Sequence, residues 1–188
     1  MTKLGRLTFI SGGARSGKSQ AAQQLALQAG PQRLFIATAQ AWDEEMRMRI
    51  RAHQDERGRD FQTLEEPFYL AKALATRSPS YDVILIDCLT LWITNLLLEG
   101  WSEEAIGLEV EASIQAARSR AREVILVSNE VGLGIVPDNA LARTFRDVSG
   151  RMQQRLAAQA QRVYLVFMGR ALPLHQLGRD IRELAHEQ

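Results

Sequence analysis

Residues 12 to 19 read Gly-Gly-Ala-Arg-Ser-Gly-Lys-Ser, the residue types and spacing of a loop that holds phosphate. Glycine at 12 and 17 permits backbone angles that a Cβ resists, so successive N–H groups can turn inward on one anion. Lys18 can reach the outer phosphates, and the Ser19 hydroxyl is a ligand type for Mg²⁺. A helix starting near Ser16 would point its positive end at the same charge. A second element, Val83-Ile-Leu-Ile-Asp87, is an apolar run ending in a carboxylate. Asp87 there has the form of the acidic partner that holds Mg²⁺ opposite Ser19. The alternative for Asp87 is to cap the segment that starts at Leu89. The third candidate is His53. Within Asp43 to Arg57, the residues Met46, Ile50, His53 and Arg57 recur at spacings that share one helical face. A neutral imidazole on that face is a competent nucleophile toward phosphorus. The plainer alternative is a half-buried histidine that fills space beside Met46 and Ile50. His175 and His186 sit in the tail and have weaker claims.

These groups need a frame that brings them together. Leu7 to Ser11, Arg33 to Thr38, Tyr81 to Cys88, Val124 to Asn129 and Val163 to Met168 are short apolar runs rich in branched or aromatic residues, as strands covered on both faces tend to be. Between them lie segments with helical period: Gln20 to Gln28, Asp43 to Arg57, Pro67 to Ala75, Ser102 to Arg122 and Ala140 to Ala160. Strands alternating with helices predict an α/β fold, a doubly wound and mostly parallel sheet. Ligands of such sheets sit beyond the carboxyl ends of the strands, where the candidates above fall. No repeat or linker divides the chain, so a single domain is expected over residues 1–174. Pattern is lost after Gly169, and residues 175–188 form a tail without an assigned role.

Bulk composition narrows the classes. The chain has 188 residues, 46% hydrophobic and 24% charged, which is globular composition. A net charge of +1 argues against a nucleic-acid partner or motor. Lysine occurs only at positions 3, 18 and 72, and the remaining positive charge is arginine. The single cysteine, Cys88, allows no intramolecular disulfide and suits a reducing compartment. No apolar stretch reaches the length of a membrane span, and the N-terminus leads into a strand instead of a signal peptide. The expected location is cytoplasmic.

Together these segments resemble the bifunctional adenosylcobinamide kinase/adenosylcobinamide-phosphate guanylyltransferase family of cobalamin biosynthesis. The resemblance runs from Phe9 to about Leu174. It rests on Ser11-Gly-Gly-Ala-Arg-Ser-Gly-Lys-Ser19, Ile36-Ala-Thr-Ala-Gln40, and Asp43-Glu-Glu-Met46 leading to Ile50 and His53. It continues through Asn129-Glu-Val-Gly-Leu-Gly-Ile-Val-Pro137, Arg143-Thr-Phe-Arg-Asp147 and Gly150-Arg-Met-Gln-Gln-Arg-Leu156. The Asn-Glu-Val-Gly block is the more specific part, because phosphate-loop proteins in general lack it.

The resemblance implies a RecA-like phosphate-loop fold and a two-step enzyme. A nucleoside triphosphate, ATP or GTP, phosphorylates the hydroxyl of adenosylcobinamide. GTP then guanylylates a histidine, and GMP passes to adenosylcobinamide phosphate. The guanylylated residue falls on His53, with Lys18 assisting. Nucleotide contacts fall on Gly12, Gly13, Ala14, Arg15, Ser16, Gly17, Lys18 and Ser19, and on Thr38, Ala39 and Gln40. They continue through Gln54, Asp55, Glu56 and Arg57 to Glu65 and Asp87, with Ser19 and Asp87 on Mg²⁺. A homo-oligomer, in the family a trimer, is implied as well. Two other readings remain open: a single-activity small-molecule kinase in which His53 is structural, and a nucleotide-driven switch or ATPase subunit. Against the switch, the chain has no Asn-Lys-x-Asp guanine-reading motif.

Overall fold

A computed structural model describes residues 4–41, 44, 47–48, 51, 59–77, 80–178 and 181. Its strands are β1 (Arg6–Gly12), β2 (Arg33–Ala37), β3 (Gln62–Glu65), β4 (Tyr81–Asp87), β5 (Ala121–Asn129), β6 (Arg162–Phe167) and β7 (Arg170–Pro173). They form one sheet in the order β3-β2-β4-β5-β1-β6-β7. β1 to β6 run parallel, and β7 folds back antiparallel on β6. The helices are α1 (Lys18–Ala29), α2 (Leu70–Ala75), α3 (Leu89–Leu98), α4 (Glu103–Arg120), α5 (Ala140–Gln159) and α6 (Leu174–Leu177). Glu44, Arg47, Met48 and Arg51 are helical too, inside the stretch predicted as a helix from its period. The remainder of that stretch, with Met46, Ile50 and His53, lies outside the described residues.

Strand alternation divides the core in two. Leu7, Phe9, Ile84, Ile86, Val124 and Leu126 face α2 to α5. Ile10, Val83, Leu85, Ile125 and Val127 face the other way, with Ala22 and Ala26 of α1. These runs are apolar at every position because both faces are covered. α1 presents Lys18, Ala22 and Ala26 to the sheet at helical spacing, so its first residue lies on its buried stripe. On β4 the alternation sends Asp87 to the α1 side, since Ile86 faces the opposite cluster.

Several elements differ from the sequence expectation, which had no strand at β3. The helix predicted over Ser102 to Arg122 ends at Arg120, and β5 begins immediately at Ala121. Ser102 caps its start by accepting the Ala105 N–H. Leu89 to Leu98 forms α3, whose Leu89, Trp92, Ile93 and Leu96 are all fully buried, so it shows no polar face from which to read a period. The stretch after Gly169 carries β7 and α6, and His175 lies against β6, its ring edge-on to Tyr164 and its Nδ1 3.1 Å from the Val163 carbonyl.

Asn95 of α3 joins this frame to the strand ends. Its Nδ2 donates to the carbonyls of Thr38 (2.7 Å) and Pro67 (3.2 Å), and its side chain is buried. Trp92, one turn earlier, donates from Nε1 to the Phe68 carbonyl. Replacing Asn95 by alanine strands two carbonyls, one on a fully buried residue, and should cost about 1–3 kcal/mol of stability. Urea unfolding of Asn95→Ala against wild type checks this; an unchanged midpoint would remove Asn95 from the frame.

Candidate functional site

Parallel pairing brings the carboxyl ends of β3, β2, β4, β5 and β1 to one edge. Glu65 is level with Ala37, Ala37 with Asp87, Asp87 with Val127, and Gly12 with Asn129. The phosphate loop, Thr38 to Gln40, Glu65 and Asp87 therefore lie on this edge or in the loop and helix that leave it, whereas His175, beside Val163 near the start of β6, does not. One strand, β5, separates the phosphate loop from Asp87. Thr38 leaves β2, three inter-strand steps from β1, roughly 14 Å across the sheet. A single nucleotide reaching from the loop to the β2 exit must lie over the ends of β4 and β5.

The phosphate loop is closed tightly. A Cβ at Gly12 would stand 2.4 Å from the Val166 carbonyl oxygen and 2.7 Å from Ser16 Oγ, so Gly12 is required for close approach. Left-handed φ is found instead at Gly17 (φ 97) and, without a glycine, at Arg15 (φ 57). Gly17 precedes α1 and contributes no side-chain cap, which leaves the first N–H groups of that helix for an anion. Lys18 is buried and donates to the Gly13 carbonyl at 3.1 Å; a carbonyl partner does not neutralise the ammonium. Ser16 Oγ is buried with no hydrogen-bond partner among the described residues. Ser19, in the first turn of α1, and Gly13 are half-buried, while Ala14 and Arg15 are exposed.

Around the loop lies a polar layer that sequence reasoning did not assign. Ser11 Oγ donates to Gln153 Oε1 (3.0 Å), and Gln153 Nε2 donates to the Asn129 carbonyl (3.1 Å). Asn129 Nδ2 donates to Thr90 Oγ1 (3.0 Å), and Thr90 Oγ1 lies 3.2 Å from Cys88 Sγ. The Glu130 N–H donates to the Gly12 carbonyl, and the Gly169 N–H to the Ser16 carbonyl. Asn129, Glu130 and Gln153 fall inside the resemblance blocks quoted above, which was the signal available for them; Gly169 had none.

At the β2 end, Thr38 is fully buried. Its Oγ1 accepts the Cys88 N–H and donates to the Cys88 carbonyl, both at 2.8 Å, which fixes the exit of β4 directly behind Asp87. The Asp87–Cys88 peptide is cis. Ala39 and Gln40 are half-buried, and the Gln40 Nε2 is a buried donor without a partner among the described residues. Glu65 ends β3 with its side chain exposed. His53, Gln54, Asp55, Glu56 and Arg57 lie outside the described residues.

A cleft of about 1010 Å³ opens at the opposite end of the sheet and is rich in arginine. Its arginines are engaged in the frame: Arg6 with Glu123, Arg122 with Asp82, and Arg118 with the Gly5 carbonyl. It contains none of the strand-end candidates.

Residues 8–174 match the family described as cobinamide kinase / cobinamide phosphate guanyltransferase. The chain belongs to this family. It is 43% identical over 175 residues to the bifunctional adenosylcobalamin biosynthesis protein CobU of Salmonella typhimurium, covering 87% of this chain and 96% of that protein. It is 44% identical over 166 residues to the bifunctional adenosylcobalamin biosynthesis protein CobP of Pseudomonas aeruginosa, covering 88% and 95%. Among solved structures, the flagellar accessory protein FlaH of Methanocaldococcus jannaschii superposes with a TM-score of 0.50 at 15% identity, over 90% of this chain and 76% of that one. The fold is the RecA-like phosphate-loop class expected from the resemblance.

Within this member of the cobinamide kinase / guanyltransferase family, Cys88 reports on the interior behind the site. Burial, aided by the neighbouring charge of Asp87, pushes its thiol from 9.0 up to about 11, against the opposing pull of the Thr90 hydrogen bond and Lys18. The folded chain holds this proton more tightly than the unfolded one. Its stabilising effect is complete below pH about 9 and is lost as pH rises toward 11. The folded protein should leave a disulfide reagent unreacted at pH 8 and release one equivalent of thiol in denaturant. Cys88→Ala should lose less stability between pH 9 and 11; rapid reaction of the native thiol would contradict the buried placement.

Proposed function

We propose that this chain phosphorylates adenosylcobinamide and then transfers GMP from GTP to adenosylcobinamide phosphate, giving adenosylcobinamide-GDP in cobalamin biosynthesis. The observation that carries the proposal is the phosphate loop itself. Its buried Lys18 and uncapped α1 stand on the same strand edge as Asp87 and Thr38, in a chain of this family.

In the kinase step the acceptor hydroxyl oxygen bonds to the γ-phosphorus, the bond to the β-phosphate oxygen breaks, and the hydroxyl proton is released. In the second step a ring nitrogen of His53 bonds to the α-phosphorus of GTP, and pyrophosphate leaves with the electrons of the broken P–O bond. The phosphate oxygen of the corrinoid then displaces the imidazole, which regenerates His53. Lys18 and the loop amides oppose the negative charge that grows on the leaving phosphates. Gly12, Gly13, Ala14, Arg15, Ser16, Gly17, Lys18 and Ser19 hold the phosphates. Ala39, Gln40 and Glu65, with Gln54, Asp55, Glu56 and Arg57, are proposed to meet the nucleoside, while Thr38, fully buried with its hydroxyl and carbonyl already paired, holds this exit from behind without touching it.

Mg²⁺ fits the donor set. Ser19 and Asp87 offer hard oxygens on the α1 side of the sheet, and no group of three or more acidic, histidine or cysteine residues forms a cage among the described residues. One or two protein oxygens plus substrate phosphates is the usual way Mg²⁺ is held, and the ion supplies charge neutralisation at the phosphates. Homo-oligomerisation, with the trimer implied by the resemblance as its form, is supported in so far as Phe167, Met168 and Leu172 are exposed along the β6–β7 edge and Leu177 on α6 beside it. A cytoplasmic location is supported by the single buried free thiol. Among the described residues no helix is long and apolar enough to cross a membrane.

GTP labelled at its α-phosphate tests the covalent step. Wild type should acquire acid-labile, alkali-stable label. His53→Ala should stay unlabelled while still phosphorylating adenosylcobinamide, and Lys18→Ala should lose both activities. Equal labelling of His53→Ala would end the histidine mechanism and leave a plain kinase.

A further inference from the structure

Immediately after β5 the chain runs Glu130-Val-Gly-Leu-Gly-Ile-Val-Pro137. Leu133 is 89% exposed and Ile135 98%, with Val136 beside them more than half exposed. Single exposed aliphatic residues are ordinary, but three within four positions are not, and such clusters mark contact surfaces. The backbone beneath them is fastened at both ends. The Glu130 N–H donates to the Gly12 carbonyl, and the Gly132 N–H donates to Glu130 Oε1 at 2.6 Å. At the far end Arg143 Nη1 donates to the carbonyls of Pro137 (3.0 Å) and Asp138 (2.6 Å), and Asn139 Oδ1 accepts the Ala142 N–H to start α5. The segment is thus a pinned ridge with its apolar side chains turned to water, joined by one hydrogen bond to the first glycine of the phosphate loop.

We propose that Leu133, Ile135 and Val136 form the docking ridge for one face of the corrin macrocycle of the acceptor. The inference rests on the reading of the chain as a cobinamide kinase and guanylyltransferase, and it adds where the corrinoid sits. Three observations select this occupant. The ridge leaves the end of β5, beside the phosphate loop at the end of β1 and under the path of a nucleotide reaching from Gly12 to the β2 exit, so an acceptor resting on it stands next to that loop. A corrin is a wide ring with methyl-bearing faces and an amide-bearing rim. It suits a low aliphatic ridge better than a closed pocket, and the β6–β7 edge on the other side of β1 offers a separate apolar surface for a second copy of the chain. The hydrogen bond from Glu130 to Gly12 ties the ridge to the phosphate cradle, so ring and phosphate are held at a set separation without an ordering cost at binding.

The test is Leu133→Ser combined with Ile135→Ser, assayed beside Leu133→Met combined with Ile135→Val. Both positions are almost wholly exposed, so the serine pair removes no core packing; its thermal midpoint should match wild type. The serine pair should raise KM for adenosylcobinamide at least tenfold. Its kcat at saturation should stay within twofold, with unchanged self-labelling from α-labelled GTP and unchanged mass by sedimentation. The conservative pair should keep the wild-type KM. An unmoved corrinoid KM in the serine pair overturns the proposal, and a fall in oligomeric mass with that KM unmoved gives the ridge to a second copy. Equilibrium dialysis with adenosylcobinamide separates this inference from the enzymatic reading. If wild type binds the corrinoid, the serine pair does not, and neither yields product, the ridge stands and the catalytic reading falls. If both bind equally, the ridge falls whatever the catalysis.

Discussion

The close seating of Gly12 between β5 and β6 is the constraint on which the rest depends. β1 ends where the Val166 carbonyl leaves no room for a Cβ, and there its own carbonyl accepts the Glu130 N–H. On the β6 side, the Gly169 N–H holds the Ser16 carbonyl. The loop is therefore clamped from both neighbouring strands before any nucleotide arrives. Its amides, the start of α1 and Lys18 are aimed by the sheet, not by the ligand. The charge stabilisation proposed for a leaving phosphate needs donors that do not reorganise during the reaction, and this clamp would hold them in place.

A polar seam runs under that clamp, from Ser11 through Gln153 and Asn129 to Thr90 and Cys88. Each member is buried or half-buried and has a partner, so the seam resists water and sets one geometry. It links β1, α5, β5 and α3, ending at Cys88 directly after Asp87, and it lies beside the segment between β5 and α5 that carries the apolar ridge. Thr38, bracketing Cys88 from β2, extends the same fixing across the sheet. The strand edge thus behaves as one rigid platform, about three strand spacings wide between Gly12 and Thr38.

Much of this was legible in the sequence, for physical reasons. Doubly covered parallel strands must be apolar throughout, so Leu7 to Ser11 and Tyr81 to Cys88 announce themselves, and the Gly-rich loop between strand and helix has few other uses. What stayed hidden depends on partners distant in sequence. α3 is buried on so many sides that it shows no period. β3, with only Leu64 packed inward, is too short and polar to signal a strand. β7 exists because β6 offers it an edge, and the need for glycine at position 12 comes from Val166, over 150 residues away. The specific Asn129 block pointed to the family without revealing that its asparagine and the glutamate beside it fasten the loop.

Two transfers with different phosphorus atoms are thus asked of one clamped cradle, and that single shared site is the central claim. Self-guanylylation from α-labelled GTP, measured at increasing concentrations of a non-hydrolysable ATP analogue, tests it most directly. A shared cradle requires strictly competitive inhibition, with an inhibition constant equal to the one the analogue shows against ATP in corrinoid phosphorylation. Noncompetitive inhibition, or labelling untouched by analogue at concentrations that stop the kinase step, would mean two separate nucleotide sites and would contradict the account.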